Sequence, residues 1–262
     1  MSRLIMFSVI SILALPATAQ QKEGKVTYQR TMELNISLQG NPELARSIPK
    51  TRTNTFELNF DGSTASWKQL QELQTEEAVG PGISLQFAGS DDLNWFDLAN
   101  ARKLQQTELA GKNYLVSDSI KPGNWKLTDE TKNILGHPCR KAISTVISRR
   151  FITSMDNGKM ERKEMPDTSQ SEAWFTTDIP VPVGPEVQGQ LPGLILELSL
   201  RSGKVLYTAL EISAKPDGPA LKEPTRGKKM NAADFAKERS RIMEQMQQSN
   251  GRGPVRFSMS AQ

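Results

Sequence analysis

The first residues to examine for chemistry are His137 and Cys139, because the chain has one histidine and one cysteine. Only Pro138 separates them, and side chains two residues apart on an extended chain point to the same side. The pair could form half of a metal site or a Cys–His nucleophile. The carboxylates of the chain show no ligand spacing around it. We therefore expect a turn histidine beside a buried cysteine, and a metal or thiol protein is the weaker alternative.

Other catalytic signatures are missing from the sequence. It has no Gly-x-Ser-x-Gly, phosphate loop, dinucleotide fingerprint or His-Glu-x-x-His. Asp91-Asp92 and Glu76-Glu77 are adjacent carboxylates, but neighbours in a strand face opposite ways and make poor acid–base pairs. The sequence therefore predicts no enzyme and no cofactor.

The most unusual stretch is Ala173 to Leu198. Its part from Pro180 to Gly193 holds four prolines and three glycines. Proline removes a backbone donor, so this stretch cannot be a central strand before Leu194. We expect a rigid, ordered crossover packed by apolar side chains. Pro192-Gly193 has the residue types of the central pair of a type II turn. The residues expected to pack the crossover are Trp174, Phe175, Val181, Val183 and Leu191.

The elements around these residues are mostly predicted strands. Alternation such as Phe56, Leu58 and Phe60 has the period of two that one buried sheet face requires. Strands are expected at 139–149, 149–155, 159–165 and, separately, 172–177. Short turns without intervening helical patterns indicate a mainly β protein with a meandering antiparallel sheet. The predicted turns are Asp61-Gly62, Ala110-Gly111-Lys112, Asp156-Asn157-Gly158 and Arg201-Ser202-Gly203.

Five segments are predicted along the chain. Residues 1–19 resemble a cleavable signal peptide, with Arg3, an apolar run at 4–16 and Ala17-Thr18-Ala19 before the cut. Residues 20–214 form the antiparallel β domain, and 215–231 a basic linker containing proline and glycine. An amphipathic helix spans 232–248, and 249–262 form a disordered tail. The signal predicts export to the periplasm, with secretion as the alternative, and no cysteine follows the cut to carry a lipid anchor.

The basic charge is concentrated near the C-terminus, where 215–256 hold ten Lys or Arg against five Asp or Glu. Phe235 is the one aromatic residue among these basic residues, so nucleic-acid binding is not expected. No run reaches the roughly 20 apolar residues of a transmembrane helix. Asn231 is the predicted N-cap of the helix. Its apolar side is expected to hold Phe235, Ile242, Met243 and Met246, for docking on the sheet or on a partner.

Two groups of residues resemble the GLPGLI family of exported Bacteroidetes proteins. The first is the hallmark itself, with glutamine in place of the first glycine: Gln190-Leu191-Pro192-Gly193-Leu194-Ile195. It is preceded by Ala173-Trp174-Phe175-Thr176 and by Gly184-Pro185. The second is a turn and strand, Ile134-Leu135-Gly136-His137-Pro138-Cys139-Arg140-Lys141-Ala142. The glutamine indicates that position 190 does not require positive φ.

This resemblance implies a curved antiparallel sheet, or half-barrel, of the lipoprotein-carrier-like kind, with a C-terminal amphipathic helix. It implies no activity, because the family is functionally uncharacterised, but it implies association with TonB-dependent outer-membrane receptors. The motif residues, structural and also candidates for binding, are Gly136, Cys139, Trp174, Gly184, Pro185, Leu191, Pro192, Gly193, Leu194 and Ile195.

Two functions remain open at this point. The first is a noncatalytic periplasmic binding or accessory protein that holds a lipid, peptide or partner segment on the curved sheet. The second is a scaffold or assembly factor for an outer-membrane partner. An open apolar cavity on the concave face would favour the first, and a face plugged by the C-terminal helix would favour the second.

Overall fold

The computed structural model describes residues 21–34, 49–70, 77–80, 83–85, 92–156 and 159–249. The predicted signal peptide and residues 250–262 of the predicted tail lie outside this part of the chain. The strands are β1 (Gly24–Glu33), β2 (Thr51–Phe60), β3 (Thr64–Gln69), β4 (Glu77–Gly80), β5 (Ile83–Leu85), β6 (Leu93–Asp97), β7 (Arg102–Leu109), β8 (Lys112–Ser119), β9 (Lys126–Ile134), β10 (His137–Asp156), β11 (Lys159–Thr176), β12 (Leu194–Leu200), β13 (Val205–Ser213) and β14 (Lys228–Asn231). A 3-10 helix spans Gly218–Leu221, and helix α1 spans Ala232–Ser249.

Twelve of the described strands form one open sheet, in the order β14-β8-β7-β6-β3-β2-β1-β13-β12-β11-β10-β9. Neighbours are antiparallel except β14, which runs parallel to β8. The pairing of β1 with β13, for example Val26 opposite Ile212, joins the N-terminal and C-terminal strands in this sheet. The strands β4 and β5 pair separately. The predicted fold class, mainly β with an antiparallel sheet and a C-terminal helix, is confirmed.

Local turn chemistry explains the short connections. At the β2–β3 turn, Asp61 Oδ1 accepts hydrogen bonds from the backbone N–H groups of Ser63 and Thr64, at 3.1 and 2.7 Å. At the β9–β10 turn, Leu135 and Gly136 have φ of 50° and 85°. Positive φ at both central residues is the requirement of a type I′ turn, whose twist matches that of the flanking strands.

The long hairpin β10–β11 corrects one expectation. The sequence predicts a break between 165 and 172, but β11 runs unbroken through Pro166. Gln170 shows why this proline is tolerated, since its N–H and C=O bond Ser202 on the side away from β10, at 3.2 and 2.8 Å. Backbone groups alternate sides along a strand, so position 166 also points away from β10. The missing N–H of proline therefore costs no hydrogen bond to β10.

The crossover predicted at 180–193 spans residues 177–193 in the structure, and it packs as ordered irregular chain into the main hydrophobic core. Its apolar side chains join those that the sheet contributes from β1, β2, β3, β6 and β10–β13. The apolar face of the sheet is therefore filled by the protein's own crossover. The crossover residues buried in this core are Ile179, Val181, Val183, Val187 and Leu191.

The segment predicted as a linker, 215–231, is partly regular. The N–H of Asp217 donates to Asn59 Oδ1 at 2.8 Å, and Trp95 Nε1 donates to the carbonyl of Leu221 at 2.8 Å. These bonds hold the 3-10 helix against β2, β3 and β6. The segment then enters the sheet as β14, where it pairs with β8. Residues 215–231, which we call the C-terminal strap, therefore pack along the sheet and do more than connect two elements.

Helix α1 begins as the sequence predicts. Asn231 Oδ1 accepts a hydrogen bond from the N–H of Asp234 at 2.8 Å, and Asn231 Nδ2 donates to the Asp234 carboxylate at 2.8 Å. This is N-cap geometry. The helix docks on its own sheet, where Phe235 meets Tyr114 of β8 with ring centroids 5.2 Å apart.

The apolar side of α1 is narrower than expected. Ile242 is buried against the sheet, but Met243 is 44% exposed. An α-helix turns roughly 100° per residue, which places position 243 beyond the stripe through Phe235 and Ile242. The side chain of Met246 lies outside the described residues. Within the described part of the chain, we find no helix with the length and apolar character needed to cross a membrane.

Candidate functional site

His137 and Cys139 lie together at the start of β10 but do not interact through their side chains. The Cys139 thiol is 3.5 Å from the carbonyl oxygen of His137, to which it donates. His137 Nδ1 instead lies 3.4 Å from Asp178 Oδ2, at the start of the crossover. The arrangement ties the β9–β10 turn to the crossover and does not orient the imidazole as a base toward the sulfur.

Cys139 is buried, as the sequence predicts. Burial raises the pKa of its thiol to about 11, so the thiolate that nucleophiles and metal sites need is scarce at neutral pH. No three His, Cys, Asp or Glu residues of the described ranges are grouped so as to hold a metal ion. Cys139 therefore has the environment of a packed core position, whereas His137 is only partly buried.

Gly193 corrects the predicted turn. Its φ lies outside the left-handed region, which the third residue of a type II turn requires, so Pro192-Gly193 does not form that turn. The glycine is needed for space instead. A Cβ atom here would lie 2.0 Å from the carbonyl oxygen of Thr176, which is backbone and cannot move aside. Leu194 can then begin β12, while Pro192 stays exposed.

Gly184, within the crossover, has a similar role. A Cβ at Gly184 would lie 2.5 Å from the Cβ of Ile195. Beside it, the N–H of Ile195 donates to the carbonyl of Val183 at 2.9 Å. The buried Tyr28 hydroxyl donates to the Ile195 carbonyl at 2.6 Å, so β1 contacts the hallmark directly. The glycine thus permits the close approach of the crossover to β12.

Other bonds within the crossover close it on itself. The N–H of Leu194 donates to the carbonyl of Ile179 at 3.0 Å, and the N–H of Val187 donates to the carbonyl of Pro185 at 2.6 Å. Leu191 and Pro185 are buried. The hallmark and its approach therefore form one packed unit on the sheet.

Glu186 sits at the outer turn of this unit with φ of 56°, a conformation that costs a non-glycine residue on the order of 1 kcal/mol. Its Oε1 accepts a hydrogen bond from the hydroxyl of Tyr207 at 2.9 Å. Burial raises the pKa of Tyr207, and the neighbouring Glu186 charge raises it further. The hydroxyl therefore stays protonated and fastens the crossover to β13.

Gln190 occupies the hallmark position where the resemblance has glycine. Its Oε1 accepts a hydrogen bond from Trp125 Nε1 at 2.8 Å, and its Nε2 donates to the carbonyl of Lys121 at 3.0 Å. Gln190 does not have positive φ, in agreement with the sequence prediction. The glutamine therefore fastens the β8–β9 connection to the crossover.

Trp174 lies on β11 with lysines beside its ring. Lys132 Nζ is 4.3 Å from the ring centroid, and Lys141 Nζ is 5.8 Å from it. Lys132 also pairs with Glu197 at 2.8 Å, and Lys141 pairs with Glu172 at 3.1 Å. Hydrogen bonding to Glu172, the largest cause, raises the pKa of Lys141. Trp174 therefore belongs to a cross-strand ladder whose charges are already paired.

The motif residues thus divide by role. Cys139, Leu191, Leu194 and Ile195 are buried in the main core, and Trp174 packs against it. Gly136 makes the β9–β10 turn. The structure brings the hallmark residues together in one packed unit on the sheet. In the arrangement described, none of them has a side-chain polar group left over for a ligand.

The longest hairpin among the described strands is the part of β10–β11 beyond its neighbours, which we call the ribbon (residues 144–156 and 159–171). Strand β9 pairs with β10 as far as Ile143, and β12 pairs with β11 from Glu172 onward. The hairpin pairing continues for thirteen rungs, from Ser144 opposite Ser171 to Asp156 opposite Lys159. At about 3.3 Å per residue, the ribbon extends roughly 40 Å.

Apolar side chains are exposed where the ribbon leaves the sheet. Val146 is 50% exposed and Ile147 is 75% exposed. Adjacent residues in a strand face opposite ways, so both faces of the ribbon base carry one of them. An isolated two-stranded hairpin is marginally stable in water, and a further strand or a packing surface is what such a hairpin requires.

Sequence reasoning missed the residues that fasten the crossover and the full length of the ribbon. The fastening residues Tyr28 and Tyr207 lie far from the hallmark in sequence. The sequence predicts the hairpin of 149–155 and 159–165, but it ends the second strand before Pro166. A usable signal was present, because 139–156 contain no proline or glycine and are rich in β-branched residues.

Comparison with known proteins agrees with the fold. No curated protein matches the chain. Two solved structures of PNGF-II, in space groups C2 and P21, are similar with TM-scores of 0.52 and 0.50, each at 17% sequence identity. The similarity covers 82% and 83% of this chain but only 32% and 33% of the PNGF-II chains, so the chain spans about a third of their length. At this identity the likeness shows a shared fold.

The segment from 125 to 197 also matches a family model. This range runs from Trp125, through β10 and β11, to Glu197 of β12, and it includes both the ribbon and the hallmark. The family is described as a protein of unknown function, Porph_ging, and residues 125–197 of this chain are similar to it.

Proposed function

We propose that this protein is a noncatalytic accessory or scaffold protein of the cell envelope that binds a protein partner through the ribbon. The observation that carries the proposal is the thirteen-rung extension of β10–β11 beyond every described neighbouring strand. Exposed Val146 and Ile147 at its base add apolar contact area. A partner that covers them removes this surface from water, which is the main favourable term in association.

The filled face of the sheet supports a scaffold over a lipid or peptide carrier. A ligand on that face would have to displace the crossover, whose residues Ile179, Val181 and Val183 are at most 1% exposed. It would also break the Tyr28 and Tyr207 hydrogen bonds to this part of the chain. The noncatalytic part of the proposal is supported by the protonated Cys139 thiol and by His137 contacting Asp178.

The compartment and the partner class rest on the sequence. Residues 1–19 have the three parts of a signal peptide in order, which supports export to the periplasm. The resemblance to the GLPGLI family makes TonB-dependent outer-membrane receptors the first partner class to test. An apolar ligand is the other class of partner that the sequence leaves open.

A shortened ribbon tests the proposal. The variant lacks residues 147–168 and joins Val146 to Ser169, an opposed pair in the hairpin, through an inserted Asn-Gly turn. Affinity-tagged protein is cross-linked in the native cells and the co-purified proteins are quantified by mass spectrometry. We expect the shortened variant to keep its thermal midpoint and to lose its cross-linked partner.

The matched control is Leu210→Ser, which removes an apolar side chain that is 49% exposed on β13, away from the ribbon. This variant should recover the same partner as the wild type. Equal recovery of that partner by the wild type and by the shortened variant would refute the proposal.

A further inference from the structure

The edge of the sheet at β14 carries four exposed basic side chains, from the C-terminal strap and from the start of β8. They are Lys112, Arg226, Lys228 and Lys229, and we call them the basic rim. Strand β14 is the outermost strand at this end of the sheet, and Lys228 lies opposite Tyr114 of β8. Positions 112 and 114 are two apart on one strand, so the side chains of Lys112 and Lys228 point to the same side of the sheet.

On that side, the carboxylate nearest to the rim already has an arginine partner. Glu238 of α1 accepts hydrogen bonds from Arg241 Nε and Nη2 at 3.0 and 2.8 Å. Hydrogen bonding from this arginine is the main cause that lowers the pKa of Glu238, and the charges of Lys228 and Lys112 lower it further. Both lysines are therefore close to Glu238, but neither forms an ion pair with it.

On the other side of the sheet, Glu223 of the strap is held in the same way. Arg102 Nη1 and Nη2 donate to its two carboxylate oxygens at 3.0 and 2.7 Å. This hydrogen bonding is the main cause that lowers the pKa of Glu223, and the charge of Lys229 contributes to the same shift. Within the described part of the chain, none of the four side chains of the basic rim forms an ion pair.

The other acidic groups of β7 and β8 do not neutralise the rim. Glu108 lies opposite Asn113, so its side chain points to the side of the sheet away from Lys112. Asp118 lies opposite Lys103, which balances its charge. The strap itself holds five Lys or Arg against two Asp or Glu. The basic rim is therefore a surface of net positive charge that attracts anions over roughly 10 Å at moderate salt.

The sequence that follows α1 indicates which kind of anion fits. Helix α1 begins beside Ser117 of β8 and carries Glu238 back toward Lys112, so it points along the sheet toward the basic rim. Residues 250–262 contain two arginines and no acidic residue, together with a valine, a phenylalanine and a methionine. Basic residues mixed with large apolar ones are typical of segments at a lipid surface, whereas an acidic protein partner requires only the charges.

We propose that the basic rim is a contact surface for anionic phospholipid headgroups, so that the protein associates with a bilayer surface through the β14 end of its sheet. Lysine is a compact point charge on a flexible stem, which suits phosphate groups whose positions are not fixed. Four basic residues are at the lower limit of the clusters that bind anionic lipid surfaces. The proposal goes beyond the proposed function and does not rest on the ribbon, which extends from the other end of the sheet.

Co-sedimentation with lipid vesicles tests the proposal. Affinity-tagged protein is purified from the native cells and mixed with vesicles of phosphatidylcholine, either alone or with added phosphatidylglycerol. The rim variant is Lys228→Gln with Lys229→Gln. Its matched control is Lys126→Gln with Lys204→Gln, which removes the same charge from exposed lysines of β9 and of the β12–β13 turn.

We expect the wild type to bind the vesicles that contain phosphatidylglycerol and not those of phosphatidylcholine alone. High salt should abolish this binding, because it screens the charges. The rim variant should bind about thirtyfold more weakly, at roughly fivefold per lysine, and the control should stay within about twofold of the wild type. A variant with Lys228→Arg and Lys229→Arg should bind like the wild type, because it keeps both charges.

Four outcomes would overturn the proposal. They are no wild-type binding to either vesicle, equal binding to both, equal affinities of the rim variant and the wild type, and an equal loss in the two glutamine variants. Retention of the wild type on immobilised polyglutamate, without binding to the anionic vesicles, would overturn it in favour of an acidic protein partner. All variants change exposed side chains and are compared at equal thermal midpoints, so that a loss of folding is not mistaken for a loss of binding.

Discussion

At the scale of single residues, the hallmark glycines act by their lack of a side chain. Gly193 allows the backbone of Thr176 to pass at a distance that no Cβ permits, and Gly184 does the same for the side chain of Ile195. Glycine is otherwise costly, because it has more conformational freedom to lose on folding. These two positions accept that cost for the close packing of the crossover on β12.

Gly193→Ala is the sharpest residue-scale prediction. The new methyl group would overlap backbone, so we expect a loss of about 3 kcal/mol or more in the free energy of unfolding. Urea denaturation followed by tryptophan fluorescence measures it. Gly218→Ala is the control, because no atom lies within 4 Å of its added Cβ, and it should change stability by less than about 0.5 kcal/mol. Equal midpoints for the two variants would show that the close approach at Gly193 is not required.

At the scale of elements, the C-terminal strap and helix complete one side of the sheet. Gly227 has φ of 121° and no room for a Cβ beside the backbone of Tyr114. This allows β14 to pair closely with β8, and Asn231 then starts α1. The strap therefore determines where the helix docks, and Phe235 follows onto Tyr114.

Asn231→Ala tests whether the cap at Asn231 holds the start of helix α1. It removes the acceptor for the N–H of Asp234, and we expect a loss of about 1 kcal/mol in the stability of α1. Hydrogen exchange should become faster throughout α1 and remain unchanged in β1 and β13, which lie far from it in the sheet. Asn113→Ala, at a polar position of β8, is the control. Unchanged exchange in α1 would mean that packing of Phe235 and Ile242, not the cap, holds the helix.

Turn chemistry made much of the sheet predictable from the sequence. Asp61-Gly62, Ala110-Gly111 and Arg201-Ser202-Gly203 lie between strands where expected, because their residue types favour the backbone angles of tight turns. The turn type predicted at Pro192-Gly193 was wrong, because the glycine there provides space and does not adopt a left-handed conformation. Composition alone does not distinguish these two uses of glycine.

Long-range features of the sheet could not be predicted from the sequence. The pairing of Val26 with Ile212 depends on the whole sheet, and no local pattern encodes it. The continuity of β11 through Pro166 depends on which side of the strand the proline occupies, and this is set by the register with β10. For the same reason the sequence predicts the tip of the ribbon, at 149–155 and 159–165, but not its continuation through Pro166 to the body of the sheet.

At the scale of the whole molecule, the chain has a filled face and a projecting ribbon. The crossover fills the core side of the sheet, and the strap and helix cover strands at the β14 end. At the other end, β9 is the outermost strand, and the ribbon extends from the strands next to it. Packing therefore stabilises the body, and the ribbon is the part that we propose contacts another protein.

Photo-crosslinking in the native cells tests this division of roles most directly. Ile147 is replaced by the photoreactive amino acid p-benzoylphenylalanine in the full chain, and Leu210 is replaced in a parallel variant as the control. We predict that ultraviolet light converts the Ile147 variant to one discrete heavier species, containing one partner protein, and leaves the Leu210 variant unconverted. No heavier species at Ile147, or the same species from both positions, would contradict the account.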